Sequence, residues 1–314
     1  MKLAVMFPGQ GSQFVGMGRE LALSDPRAMA LFDRADQVLG RGLKKVVFEG
    51  PEEELKETSN TQPALYVTSA AVWEVVKGWN LKPAFAAGHS LGEYSALMAA
   101  GAFGFEDGLK MVQARANAMA EQARASGGTM AAILGLEDAK VVEICLQASA
   151  AGGSVEPANF NSPGQVVISG QKGPVEEAMR LAQAAGAGKC VPLAVSGPFH
   201  SRFMVPAAEA LRPALEKGAW SAPEPPVVVN ATAQAVSDVA TLKEMLIRQV
   251  SQPVLWTASV EAMLKAGVDT FLEIGPGRVL SGLVKRISRE ATLANVEDLK
   301  SLEKARQALG IAAR

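Results

Sequence analysis

Short apolar runs alternate with helix-period segments from the first residues of this chain, and the alternation changes once, in the middle. Leu3–Phe7 is apolar throughout and stops at Pro8-Gly9-Gln10-Gly11. Residues 61–76 read as a long helix, dense in Ala, Leu and Val and entered at Pro63; 83–87 read as a second buried strand. Residues 93–100 and 105–125 read as helices, the second stopped by Ser126-Gly127-Gly128. Strands that alternate with helices predict an α/β protein with a largely parallel sheet, because parallel neighbours need a crossover between them. From Thr129 the order becomes strand 129–134, helix 137–149, strand 154–159, a turn at Asn161-Ser162-Pro163-Gly164, strand 165–169, helix 173–185 and strand 189–195. That βαββαβ order is the ferredoxin-like or split-βαβ arrangement. The first rhythm returns near Ser196 with helix 203–217, strand 226–230, helices 241–250 and 257–266, and strand 269–274. Residues 1–126 and 197–314 are therefore expected to form one large domain, with 127–196 inserted as a small one. A ligand is expected in the cleft between them.

Composition excludes several classes. Lys plus Arg is 31 against 32 for Asp plus Glu, a formal net charge of −1, without the basic excess of a nucleic-acid binder. No apolar run reaches the roughly 18 residues of a membrane helix, and the five apolar residues after Lys2 are too few for a secretory signal. Cys145 and Cys190 have neither metal-ligand spacing nor the number for a disulfide framework. A cytoplasmic protein with reduced thiols, no metal, no nucleic-acid partner and no membrane contact is expected.

The chemistry is concentrated at Gly88-His89-Ser90-Leu91-Gly92, between an apolar strand and an Ala/Leu-rich helix. Gly-x-Ser-x-Gly in that setting is a nucleophile elbow. A tight strand-to-helix turn holds its central residue in a strained conformation, and side chains two positions away on either side would collide. Glycine at both positions removes the collision, and the helix start offers N–H groups and a positive dipole end to an oxyanion. The bland alternative is a glycine-rich turn with Ser90 as an N-cap.

A serine nucleophile needs a base that is not its immediate neighbour. The chain has two histidines, and His89 adjoins Ser90 with its side chain expected to point away. His200 is left, in the loop Ser196-Gly197-Pro198-Phe199-His200-Ser201. No Asp or Glu is placed by the sequence to orient it, and a backbone carbonyl could hold the ring instead. Arg115 borders the stripe Leu109, Val112, Ala116 and Met119 of its helix, and spacing alone favours a solvated arginine.

Five segments in order, Phe7-Pro8-Gly9-Gln10-Gly11-Ser12-Gln13, Gly88-His89-Ser90-Leu91-Gly92-Glu93-Tyr94, Pro198-Phe199-His200-Ser201, Gln252-Pro253-Val254-Leu255-Trp256 and Glu273-Ile274-Gly275-Pro276-Gly277, resemble the malonyl-CoA:acyl carrier protein transacylases and the acyltransferase domains of fatty acid and polyketide synthases. The resemblance runs over about residues 3 to 287. It implies an α/β-hydrolase-like large domain with a ferredoxin-like small one, and a malonyl-serine ester on Ser90 formed with His200 as base. It also implies that the main-chain carbonyl of Gln249 orients His200, and that the N–H groups of Gln10 and Leu91 form the oxyanion hole. Arg115 would bind the substrate carboxylate, Phe199 would crowd an α-methyl branch, and Asn159 would lie near the base. The implied substrates and partners are malonyl-CoA and acyl carrier protein, with no cofactor and a monomeric chain in fatty acid biosynthesis. Lys285 and Arg286 are either carrier contacts or a solvated basic helix end.

Gly9-Gln10-Gly11 is not a dinucleotide fingerprint, since Phe14 stands at the third glycine position; a loop that presents an N–H to an oxyanion suits it better. A serine thioesterase or esterase shares the same nucleophile, base and oxyanion hole. A non-catalytic carrier-binding module would keep the fold without the chemistry.

Overall fold

The computed structural model describes residues 1–150, 152–195 and 197–311. Ten strands form two sheets: β1 Leu3–Phe7, β2 Phe85–Gly88, β3 Thr129–Leu134, β4 Val155–Ser162, β5 Gln165–Gly170, β6 Lys189–Pro192, β7 Val227–Val228, β8 Ala235–Val236, β9 Thr270–Ile274 and β10 Thr292–Val296. The larger sheet has the order β10-β9-β1-β2-β7-β8, parallel except for the β7–β8 pair. The smaller is antiparallel, in the order β4-β5-β3-β6, which is the ferredoxin-like order. The α/β class with one parallel-rich and one ferredoxin-like sheet is thus as the sequence predicts.

β1 is central, with all five residues buried. Parallel strands covered by helices on both faces read as continuous apolar runs, as Leu3–Phe7 does. Its register pairs Phe7 with Gly88, so β1 and β2 end at the same level. The loop after β1 therefore lies beside the turn after β2, at the carboxyl edge where α/β sheets bind ligands.

The smaller sheet is apolar on both faces, and the two-residue period of its strands divides them. Ala131, Ile133, Val166 and Ile168 belong to a core with helices Asp138–Ala150 and Lys172–Ala184. Met130, Ala132 and Val167 join the main core on the opposite face. Register agrees, since Ala131 pairs with Ile168 and Ala132 with Val167.

Several predicted boundaries shift. Strand 189–195 ends at Pro192, and Ser196, where the first rhythm was expected to return, lies outside the described residues. Helix 61–76 begins at Thr58, which puts Pro63 inside it and not at its entry. An interior proline lacks the N–H that would bond the carbonyl four residues back, at a cost of about 3 kcal/mol. Here that carbonyl, on Ser59, accepts from Arg41 Nη2 at 3.0 Å and Gln113 Nε2 at 3.2 Å, so side chains replace the missing donor. The helices Arg19–Ser24, Pro26–Leu39, Leu43–Glu49, Glu52–Lys56 and Leu299–Ala308, and strands β8 and β10, are not foreseen by the sequence reading, whereas helix Val279–Ile287 supplies the helix end expected at Lys285 and Arg286.

Candidate active site

Steric necessity builds the turn after β2. A Cβ on Gly92 would lie 2.0 Å from the Phe7 carbonyl oxygen, and one on Gly88 would lie 2.0 Å from Gly92. Ser90, between them, has φ 53°, the left-handed region that non-glycine residues seldom occupy. Gly9 approaches from the β1 loop so closely that its Cβ would sit 2.2 Å from the His89 carbonyl oxygen. The spacing rule read from the sequence is therefore the packing rule of the fold. Helix Gly92–Ala99 follows directly.

His200 also has a left-handed backbone, φ 56°. Its Nδ1 is 2.7 Å from the main-chain oxygen of Gln249, at the end of helix Val239–Ser251. A carbonyl only accepts, so Nδ1 carries the proton and Nε2 presents its lone pair. That lone pair faces the Ser90 hydroxyl at 2.7 Å. Burial, then the nearby Arg115 charge, hold the His200 pKa down to about 3. The ring is neutral at physiological pH and able to take the serine proton.

Arg115 is 1% exposed, which excludes the solvated alternative. Its helix, Phe105–Ser126, turns the side chain inward. Nη1 donates to Gln62 Oε1 at 2.6 Å, and Nη2 donates to Gln249 Oε1 at 3.0 Å and to Ser90 Oγ at 3.1 Å. The Tyr94 ring lies 5.8 Å from the guanidinium carbon. The serine hydroxyl thus gives its proton to histidine while accepting from a cation, an arrangement that stabilises developing alkoxide.

Ser90, His200, Arg115, Gln10, Leu91, Phe199 and Asn159 all line one cavity of about 450 Å³ between the two sheets. Gln249 touches the site from behind, through its carbonyl and its amide. The backbone N–H groups of Gln10 and Leu91 have no hydrogen-bond partner among the described residues. Met130, Ala132 and Val167 of the smaller sheet form the facing apolar wall. Phe199 is 4% exposed and packs into the main core as well as the cavity. Asn159 makes an isolated bridge to Val254, a link between strand β4 and the segment before helix Trp256–Lys265.

Sequence reasoning missed four partners. Gln62 supports Arg115, Asn230 accepts the Ser90 N–H at 2.7 Å, and Glu93 bonds both Asn230 and Gln249. Asn161 Oδ1 lies 2.8 Å from His89 Nε2, so the second histidine, which lines the same cavity, is engaged by Asn161. Of these, Glu93 lies in the segment 88–94 that carries the resemblance and Asn161 in the turn 161–164; Gln62 and Asn230 carry no local signal. The described residues contain no cluster able to hold a metal ion and no helix long and apolar enough to cross a membrane.

Comparison with known proteins agrees with this geometry. The acyl transferase domain model matches residues 5–308. A malonyl CoA-acyl carrier protein transacylase of Bacillus subtilis is 47% identical over 98% of this chain and 97% of its own length. That of Salmonella typhimurium is 45% identical over 97% and 98%. Among solved structures, an acyl carrier protein S-malonyltransferase of Vibrio cholerae superposes with a TM-score of 0.93 at 46% identity, covering 97% of this chain and 99% of that one. A malonyl-transacylase in complex with a type II polyketide acyl-carrier protein gives 0.94 at 43% identity, covering 98% and 99%. With the family model spanning nearly its whole length, the chain belongs to the acyl transferase family, which includes the malonyl CoA-acyl carrier protein transacylases.

Proposed function

We propose that this protein transfers a malonyl group from malonyl-CoA to the phosphopantetheine thiol of acyl carrier protein, through a malonyl ester of Ser90. The observation that carries the reading is the buried Arg115 guanidinium 3.1 Å from the Ser90 hydroxyl. A serine poised for acyl transfer beside a desolvated cation suits an acyl group that ends in a carboxylate. An uncharged acetyl group would leave that cation without its counter-charge.

Ser90 Oγ attacks the thioester carbon as His200 Nε2 takes its proton. The oxyanion is held by the N–H groups of Gln10 and Leu91. Collapse breaks the carbon–sulfur bond, and the departing CoA thiolate takes the proton from His200. The carrier thiol then gives its proton to His200 and attacks the ester carbon. Ser90 leaves as alkoxide and recovers that proton. Arg115 pairs with the malonyl carboxylate throughout. Because the Arg115 charge is one cause of the low His200 pKa, a carboxylate on Arg115 makes His200 a stronger base when the correct substrate is bound.

Residues 127–196 are read as a ferredoxin-like domain inserted into the larger one, Phe199 as a wall against α-branched acyl groups and Asn159 as a neighbour of the base. Lys285 and Arg286 are exposed at the end of helix Val279–Ile287 and suit an acidic carrier surface. The chemistry requires no cofactor, and fatty acid synthesis in the cytoplasm is the expected setting. Intact-mass analysis after mixing with malonyl-CoA tests the reading: wild type gains one malonyl group and Ser90→Ala gains none. CoA release that is fast without carrier protein would instead mark a thioesterase, and an unmodified wild type would mark a binding module.

A further inference from the structure

Glu93 takes no part in the chemistry proposed above, yet it lies fully buried beneath the Ser90 turn. Its Oε2 accepts from the Asn230 backbone N–H at 2.8 Å and from Gln249 Nε2 at 3.0 Å. Its Oε1 has no hydrogen-bond partner among the described residues. Both neighbours reach onward to the turn. Asn230 accepts the Ser90 N–H at 2.7 Å and donates to the Gly88 carbonyl at 2.7 Å. Gln249 Nε2 donates to the Ser90 carbonyl at 2.9 Å, while Gln249 Oε1 accepts from Arg115.

The orientation of the Gln249 amide follows from these contacts. Its NH2 faces two acceptors, the Ser90 carbonyl and Glu93, and its oxygen faces a guanidinium. Turned over, it would set oxygen against two oxygens and N–H against a cation. Glu93 thereby fixes which end of Gln249 meets Arg115, and the same carboxyl anchors the asparagine that holds Ser90.

We propose that Glu93 is a positioning residue: it sets the Ser90 backbone through Asn230 and aligns Arg115 through Gln249. The nucleophile and the carboxylate-reading cation are placed by one group. The Arg115 half of this inference rests on the malonyl reading above; the Ser90 half does not. One oxygen accepting two N–H groups is the essential element, and burial pushes the Glu93 pKa up to about 7, so the network does not depend on a permanent charge.

The test compares Glu93→Gln, Glu93→Asp and Glu93→Leu. Ser90 is labelled with a fluorophosphonate, which needs an activated serine but no malonyl recognition, and malonyl-to-acetyl preference is measured by competition. Glutamine supplies an acceptor oxygen at the same reach and is expected to stay within about threefold of wild type in both; aspartate and leucine, which cannot reach, are expected to label on the order of a hundredfold more slowly, with a narrowed preference. Rescue by aspartate and not by glutamine would show that charge acts, and would overturn the proposal. Wild-type labelling in all three, or a lowered Tm with labelling unchanged, overturns it too, as does failure of glutamine to rescue. Should leucine fail to fold, the Gln and Asp pair still decides. If wild type takes no malonyl group the functional reading fails, while the labelling arm still tests Glu93.

Discussion

The two sheets contribute to the cleft in different ways. At the edge of the parallel sheet, backbone sterics determine position: Gly9, Gly88 and Gly92 sit where any Cβ would overlap a neighbouring main-chain atom. The antiparallel sheet contributes a wall, because alternate side chains along β3 and β5 face the cavity. Near the site it is attached by packing of Met130, Ala132 and Val167 into the main core and by a few hydrogen bonds. The Phe160 N–H donates to the Val254 carbonyl and the Val254 N–H to the Ala158 carbonyl, each at 2.9 Å. Thr257 Oγ1 adds a bond to the Phe160 carbonyl at 3.1 Å, and Asn161 adds its contact with His89. The comparison teaches that placing a nucleophile requires a backbone with no freedom, whereas enclosing a substrate requires only apolar volume on the correct face.

The largest expected effect breaks the first half of that comparison. Gly92→Ala places a methyl 2.0 Å from the Phe7 oxygen, so the elbow must open. Ser90 acylation, followed by intact mass, is expected to fall by a factor of about a thousand or more, the scale of losing oxyanion stabilisation and alignment together. Acylation within tenfold of wild type would mean that the turn is more compliant than its packing implies.

Arg115→Ala tests what the rigid turn serves. Charge-assisted hydrogen bonds of roughly 1.5–3 kcal/mol correspond to about a tenfold to hundredfold narrowing of malonyl over acetyl in competition. An unchanged ratio would remove Arg115 from substrate recognition.

The next effect is on stability and not on acylation, and it is read against pH. Unfolded, the His200 imidazole protonates near 6.5; folded, it refuses the proton down to about 3. As the pH falls below 6.5, stability is therefore lost, by up to about 1.4 kcal/mol per unit. Glu93, held at about 7, acts oppositely: its contribution is present below 4.5 and is lost as the pH rises toward 7. Denaturant unfolding of His200→Leu against wild type isolates the first slope. The stability of the variant relative to wild type should rise as the pH drops from 6.5 toward 4, and a constant difference would show that His200 is freely protonated in the fold.

The smallest effect sharpens the second half. Thr257→Val deletes one bond between β4 and the helix Trp256–Lys265 and is expected to cost about 1 kcal/mol in unfolding free energy, with acylation within about twofold of wild type. A hundredfold loss of acylation would show that the wall, too, must be held rigidly.

Much of this molecule was legible before its structure. Leu3–Phe7 stood out because a strand buried on both faces must be apolar at every position, and residues 129–192 because hydrophobic period is a local property. Ser90 was legible because the collision that demands Gly88 is with Gly92, four residues on, although the one that demands Gly92 comes from Phe7 in the neighbouring strand. His200 emerged from the scarcity of histidine. The helix containing Pro63 was misplaced at its start, since the repair of the orphaned Ser59 carbonyl comes from Arg41 and Gln113, distant in the chain.

By itself the sequence determined the alternation of strand and helix about the elbow, the βαββαβ segment, and the pair Ser90 and His200 as candidates. Only the tertiary structure decided whether Arg115 faced water or serine. Its partners Gln62 and Gln249 lie 53 and 134 residues away along the chain, and no periodicity encodes a contact across that separation. The same holds for Glu93, whose reach to Asn230 and Gln249 exists only once helix and sheet have packed. Local sterics are written in neighbouring letters, whereas the burial that gives a charge its effect belongs to the assembled core.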